Sequence, residues 1–283
     1  MKLNKVVIAA FSTCTALSLV IGFLLLFQVK AIPGHCGMIR TGEEIRRLLL
    51  EMKLQEETYL LHHDDDAIED VKYCIAGLRK ALSFYEKSKS GGEQAEFLEL
   101  PVWEEATNLY ERLFDQFVLY HRAVEKNIME IRDLEKSIVA VVYSKMNPER
   151  GIIALQEIRI HEKGYLLYRE RPEQPDERSF HDMRKEAVAN LLVWAHSDKR
   201  IEELMEEDNR LFNEILANYE SQDNTLIALE RESNKIRAVG EKYLEEGNKG
   251  VGITYRRCVF LSTTLLIMWA IVCLALFTSR FRQ

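Results

Sequence analysis

Proline and glycine are scarce, 5 and 13 in 283 residues, and the punctuation they supply reads as helix boundaries. Cysteine is as sparse. Five cysteines make no disulfide framework: Cys14 and Cys273 lie inside apolar runs, where thiols pack as small apolar residues. A Cys36–Cys258 bridge stays open, although helical rise sets the two at different heights. There is no Cys-x-x-Cys-His for covalent haem, no glycine-rich phosphate loop, no G-x-S-x-G and no zinc-protease motif. Nothing in the sequence argues for catalysis or for a cofactor, and the chain reads as a non-enzyme. Positive charge is short too. The net charge is −7, and without Lys2, Lys5, Arg280 and Arg282 it becomes −11 for residues 30–257. That field excludes a nucleic-acid partner, and any anionic ligand must be held by local basic residues.

What the chain does have is two uncharged apolar runs, 6–28 and 258–278, each long enough to cross a bilayer core of about 30 Å. The first is longer than a signal-peptide core and has no clean cleavage site after it, so it reads as a retained anchor. The lysines before it and Arg280 and Arg282 after the second run put both ends in the cytoplasm; Arg256 and Arg257 oppose that vote. The expected organisation is a cytoplasmic stub at 1–5, transmembrane helices at 6–28 and 258–278, an extracytoplasmic domain at 35–255 and a tail at 279–283.

Between the runs a short, short, long order of helices occurs twice. Thr41 with Glu44 forms a capping box after Pro33, Gly34 and Gly37, and the helix it starts breaks at His62-His63-Asp64-Asp65-Asp66. A second helix runs to Ser90-Gly91-Gly92. After Pro101, apolar positions from 103 to 141 alternate by threes and fours as one long helical seam. Asn147-Pro148 then caps a new helix, Arg171–Pro175 breaks it, another follows from Ser179, and Ser197 caps a long helix to Gly247. Glu56-Glu57-Thr58-Tyr59-Leu60-Leu61 aligns with Glu162-Lys163-Gly164-Tyr165-Leu166-Leu167, and Arg112–Phe117 with Arg210–Ile215. An internal duplication accounts for this. Such units, each with one long helix, fit an all-α fold of two stacked four-helix bundles sharing two long helices.

The duplicated E-x-x-Y-L-L segment and the helix order between two spans resemble the helical bimodular sensor domains of bacterial chemoreceptors and sensor kinases, over roughly residues 35–255. The resemblance implies a homodimer in the bacterial inner membrane, its domain periplasmic, binding a small organic acid between helices. It also implies a signalling module after the second span. Only Ser279 to Gln283 follow here, so the expectation is either a fragment of a longer protein or a stand-alone relative that signals through a partner protein. The alternative is a structural or docking module for another envelope protein, with no small ligand.

A buried carboxylate ligand needs guanidinium or hydroxyl donors within a seam. Glu56 and Glu162 fall on apolar spacing, with Lys53 and Arg159 one turn before them, which suits either a structural ion pair or a ligand contact. Asp208, Gln222 and Ser233 make the last seam polar where the first long helix is apolar. Arg46 and Arg47 are a further basic pair, able to enter the first bundle or to face water. The candidate ligand residues are therefore Arg46, Arg47, Arg159, Glu162, Asp208 and Gln222. The His62–Asp66 cluster offers metal-type ligands, but capping explains its aspartates and no metal is assigned.

Overall fold

The computed structural model describes residues 2–89, 100–168 and 179–281. Among them there are six α-helices and no strand: α1 (Lys2–His62), α2 (Asp65–Lys89), α3 (Leu100–Tyr143), α4 (Glu149–Tyr168), α5 (Phe180–Ala195) and α6 (Lys199–Phe281). The fold is all-α. The short, short, long order appears in α4, α5 and α6, with 20, 16 and 83 residues, but not in the first half, where α1, with 61 residues, is longer than α3, with 44. The breaks at Ser90–Gly92 and Arg171–Pro175 lie outside the described residues.

The helix ends show which boundary signals act. Ser179 accepts from the backbone N–H of Asp182 and caps α5 as its sequence suggests. Asp64 Oδ1 takes the N–H of Asp66 at 3.0 Å and opens α2, while His63 turns through a left-handed φ of 54°. At α6 the cap is Asp198, whose Oδ1 accepts from Arg200 and Ile201 at 2.9 and 3.2 Å; Ser197 occupies the left-handed turn before it. Asn147 likewise is a left-handed turn residue (φ 60°), a conformation asparagine tolerates, and the Pro148 carbonyl takes the first helical bond, from Ile152.

Two expected boundaries do not exist. α1 runs unbroken through Pro33, Gly34, Gly37 and Thr41, and α6 runs unbroken through Gly247. Gly42 and Gly247 serve packing between α1 and α6, whereas Gly34 and Gly37 have open space beside them. A side chain at Gly42 would meet Leu244 Cγ at 2.6 Å and the Gly240 carbonyl oxygen at 2.7 Å, and one at Gly247 would meet Ile39 Cγ1 at 2.7 Å. Thr41, inside the unbroken helix, is buried instead of capping. Pro33 is exposed, so the carbonyl that its missing N–H leaves free can find a partner outside the protein.

The chain divides into two compact units: residues 1–112 with 229–283, and residues 113–228. In the first, α2 packs on α1, and Trp103 of α3 lies 6.1 Å from Tyr243 of α6 between ring centroids. Arg79 of α2 bonds Asn108 and Glu111 of α3 at 2.8 and 2.5 Å. In the second, α5 packs on α4, around a core that includes Val142, Leu155, Ile158, Leu191, Ile201 and Met205.

Burial repeats along the chain in the register that an internal duplication would give. Leu48, Leu49, Met52 and Tyr59 recur as Ala154, Leu155, Ile158 and Tyr165. Trp103, Thr107, Tyr110 and Phe114 recur as Ile201, Met205, Asp208 and Phe212. Between α2 and α5, which show no shared motif, Val71, Cys74, Ile75 and Leu78 match Arg184, Ala187, Val188 and Leu191.

α1 and α6 are each long and apolar enough to cross a membrane. Their apolar runs leave Leu19, Phe23, Leu26, Leu266, Ile271 and Leu274 exposed, as lipid-facing residues would be. Polar residues in these runs bond inside the protein: the hydroxyls of Thr13, Ser18, Thr263 and Thr264 donate to carbonyls one turn back, and Trp269 Nε1 donates to Ser18 Oγ at 3.1 Å. That satisfies groups that hydrocarbon could not.

Candidate functional site

The second unit holds a buried charge cluster centred on a residue the sequence reading passed over. Arg184 projects from α5 with 2% of its surface exposed. Its Nε donates to Glu162 Oε1 of α4 at 2.7 Å and its Nη1 to Asn209 Oδ1 of α6 at 2.6 Å. Its Nη2 donates to Asp208 Oδ2 of α6. The guanidinium carbon lies 4.2 Å from the Phe212 ring centroid, so its face is covered as well as its edges. All three nitrogens of the planar fork donate, each to a different side chain, which a lysine could not do.

Two carboxylates share this one arginine. Burial, with repulsion from Glu162, pushes Asp208 up to about 7 against the pull of Arg184. Arg159, one turn before Glu162 on α4, does not pair with it. Arg159 instead forms an ion pair with Glu135 of α3, and burial lowers its pKa from the ordinary arginine value, leaving it charged at any physiological pH.

Arg159 and Glu162 also border open space. A groove of about 450 Å³ runs along Ile128, Ile131, Arg132, Glu135, Lys136, Arg159, Glu162, Lys163, Leu166, Phe212 and Ile215. Four of these side chains are cationic and two anionic, a local positive excess in a segment whose net charge is strongly negative. Beside it a cavity of about 20 Å³, bounded by Glu135, Arg159, Glu162 and Asp208, has room and polar partners for one water molecule.

The structure thus brings Arg159, Glu162 and Asp208 together. Gln222 is fully buried elsewhere in the same unit, its amide nitrogen 3.0 Å from His121 Nδ1, with its carbonyl oxygen unpartnered. Arg46 and Arg47 are exposed on α1; Arg47 bonds Glu44 at 3.0 and 2.8 Å and Glu51 at 2.8 Å, so both face water. Ser233 is half-buried in the first unit, so the polar seam of α6 is not confined to one unit.

The expected Lys53–Glu56 and Arg159–Glu162 pairs are replaced by a different scheme. Lys53 is exposed. Glu56, at the position matching Glu162, has an Oε1 that is buried without a partner, because Val71 stands where the second unit has Arg184. Arg184 is hidden by its sequence neighbours: His181-Asp182-Met183 and Lys185-Glu186 are mostly charged or polar, so nothing local singles it out. The signal that finds it is the stripe Ala187, Val188, Leu191 and Ala195, which extended back one turn reaches position 184.

No family model matches the chain, and neither does any curated protein.

Proposed function

We propose that the chain is a membrane-anchored, extracytoplasmic sensor domain that binds a small organic acid and relays a helix shift through its second transmembrane helix. In this reading the two units are stacked four-helix bundles sharing α3 and α6, spanning roughly residues 35–255, held by spans at 6–28 and 258–278 in a bacterial inner membrane. The observation that carries it is the groove beside Arg159, with its excess of cations over an apolar floor. A carboxylate entering there competes with Glu135 for Arg159, and its carbon skeleton lies on Ile128, Ile131 and Leu166. α6 forms part of the groove wall through Phe212 and Ile215 and continues without a break to Phe281. A displacement of about 1–2 Å along such a helix is the established scale of signal transfer between packed helices.

Binding to the native state alone raises the unfolding temperature, and the rise grows with ligand concentration. Scanning fluorimetry of the full chain in detergent, against di- and tricarboxylates, is expected to show such a rise for at least one compound. Arg159→Ala is expected to abolish it while keeping the helical circular dichroism. No rise with any carboxylate, or an equal rise in the variant, would remove the sensor reading and leave a docking module.

A homodimer fits the same reading. Leu50, Leu54 and Leu61 are 61%, 59% and 73% exposed, and at about 100° per residue they fall within about 40° of one another on α1. Leu50→Glu with Leu54→Glu is expected to convert a dimer to a monomer in light scattering coupled to size exclusion. A dimer that survives the pair would place the interface elsewhere.

A further inference from the structure

We infer that the junction between the second apolar run and the rest of α6 is a binding site for one anionic phospholipid. The inference rests on the membrane-anchored reading above. A cleft of about 370 Å³ is lined by Leu24 and Gln28 of α1 and by Arg256, Arg257, Phe260 and Leu261 of α6. Its two ends differ in chemistry. Two guanidinium groups stand at the edge of the apolar run, and one turn further in lie an aromatic and two leucine side chains. That division matches a molecule with a negative head and a hydrocarbon tail, and suits no small free ion.

The charge around the cleft points the same way. No aspartate or glutamate occurs in residues 1–42 or 247–283, the two stretches that form and flank it, whereas residues 30–257 as a whole carry −11. Both arginines are exposed, and among the described residues neither pairs with a carboxylate. The nearest acid before them with a defined partner, Glu245, is engaged by Lys249 at 2.5 Å. Two bidentate donors without a protein acceptor, at headgroup depth, are suited to the phosphate of a lipid. The site also gives a reason for Arg256 and Arg257 on the side of the membrane where the charge rule disfavours them.

Native mass spectrometry of the full chain released from detergent micelles tests this, with phosphatidylglycerol and phosphatidylcholine of identical acyl chains as probes. Wild type is expected to bind phosphatidylglycerol about tenfold or more tighter. Arg256→Ala with Arg257→Ala should bring the two lipids to parity, while Arg231→Ala with Arg237→Ala, exposed positions on the same helix, should keep the preference. Millimolar inorganic phosphate should leave the bound lipid in place. Parity in wild type, a preference that survives loss of both arginines, or displacement by phosphate would each overturn the lipid site. Extraction of the chain from vesicles by alkaline carbonate would overturn the membrane reading itself, an outcome distinct from a retained chain with no headgroup preference.

Discussion

Arg184→Val is expected to lower the stability of the second unit by about 3–5 kcal/mol, the cost of breaking a buried ion pair by removing one partner. The arginine is 2% exposed and bonds Glu162, Asp208 and Asn209. Without it two carboxyl groups stand close together with little of their surface exposed, and each must be protonated or remain a largely buried, uncompensated charge. The loss should therefore be larger at pH 8 than at pH 5, where protonation relieves part of it. Loss of the guanidinium also uncovers one face of Phe212. Adding Glu162→Gln and Asp208→Tyr to Arg184→Val is expected to recover most of the loss, because buried charges replaced together by neutral groups cost little. The first unit already carries nearly that combination, with Val71 and Tyr110 at the matching positions. Urea unfolding followed by circular dichroism in detergent checks both variants. A loss below about 1 kcal/mol for the single change would mean that the cluster is solvated or dispensable.

Architecture was legible in the sequence wherever it depends on periodicity. The seam of α3, the caps at Ser179 and Asp64 and the two apolar runs all rest on patterns continuous along the chain, and all fall within helices or at helix ends where those patterns put them. What failed was the use of glycine as punctuation. Gly34, Gly37 and Gly247 read as breaks because glycine is a poor helix former. Yet Gly247, like Gly42, lets α1 and α6 approach, and Gly34 and Gly37 sit within α1 with open space beside them. A sequence does not say which other helix lies alongside, so Gly42 beneath Leu244 could not be anticipated. The site divides in the same way. Glu162 and Asp208 were visible as polar residues at buried spacing, because that property belongs to one helix. Their partner was not, because the choice between Arg159 and Arg184 depends on how α4, α5 and α6 meet.

Glu56→Gln is expected to stabilise the protein at pH 8 by on the order of 2–3 kcal/mol and to change little at pH 4. Burial holds the Glu56 carboxyl up to about 7, with Glu57 adding to the rise and Lys53 opposing it. In the unfolded chain the same group titrates near the ordinary glutamate value of 4.5. Between those two values the folded state keeps a proton that the unfolded state has released. Stability is accordingly full below about 4.5, declines as the pH rises toward 7, and above 7 carries the whole penalty of an ionised, unpartnered carboxylate. Glutamine keeps the shape and never ionises, so the difference in unfolding temperature between variant and wild type should open through that window and then level off. The Arg79–Glu111 pair of the same unit supplies the contrast: hydrogen bonding to Arg79 lowers the pKa of Glu111, so its contribution is lost as pH falls. A difference that is independent of pH, or that widens toward acid, would show that Glu56 is partnered in solution. Val71 in place of an arginine is what makes the prediction specific to this copy of the repeat.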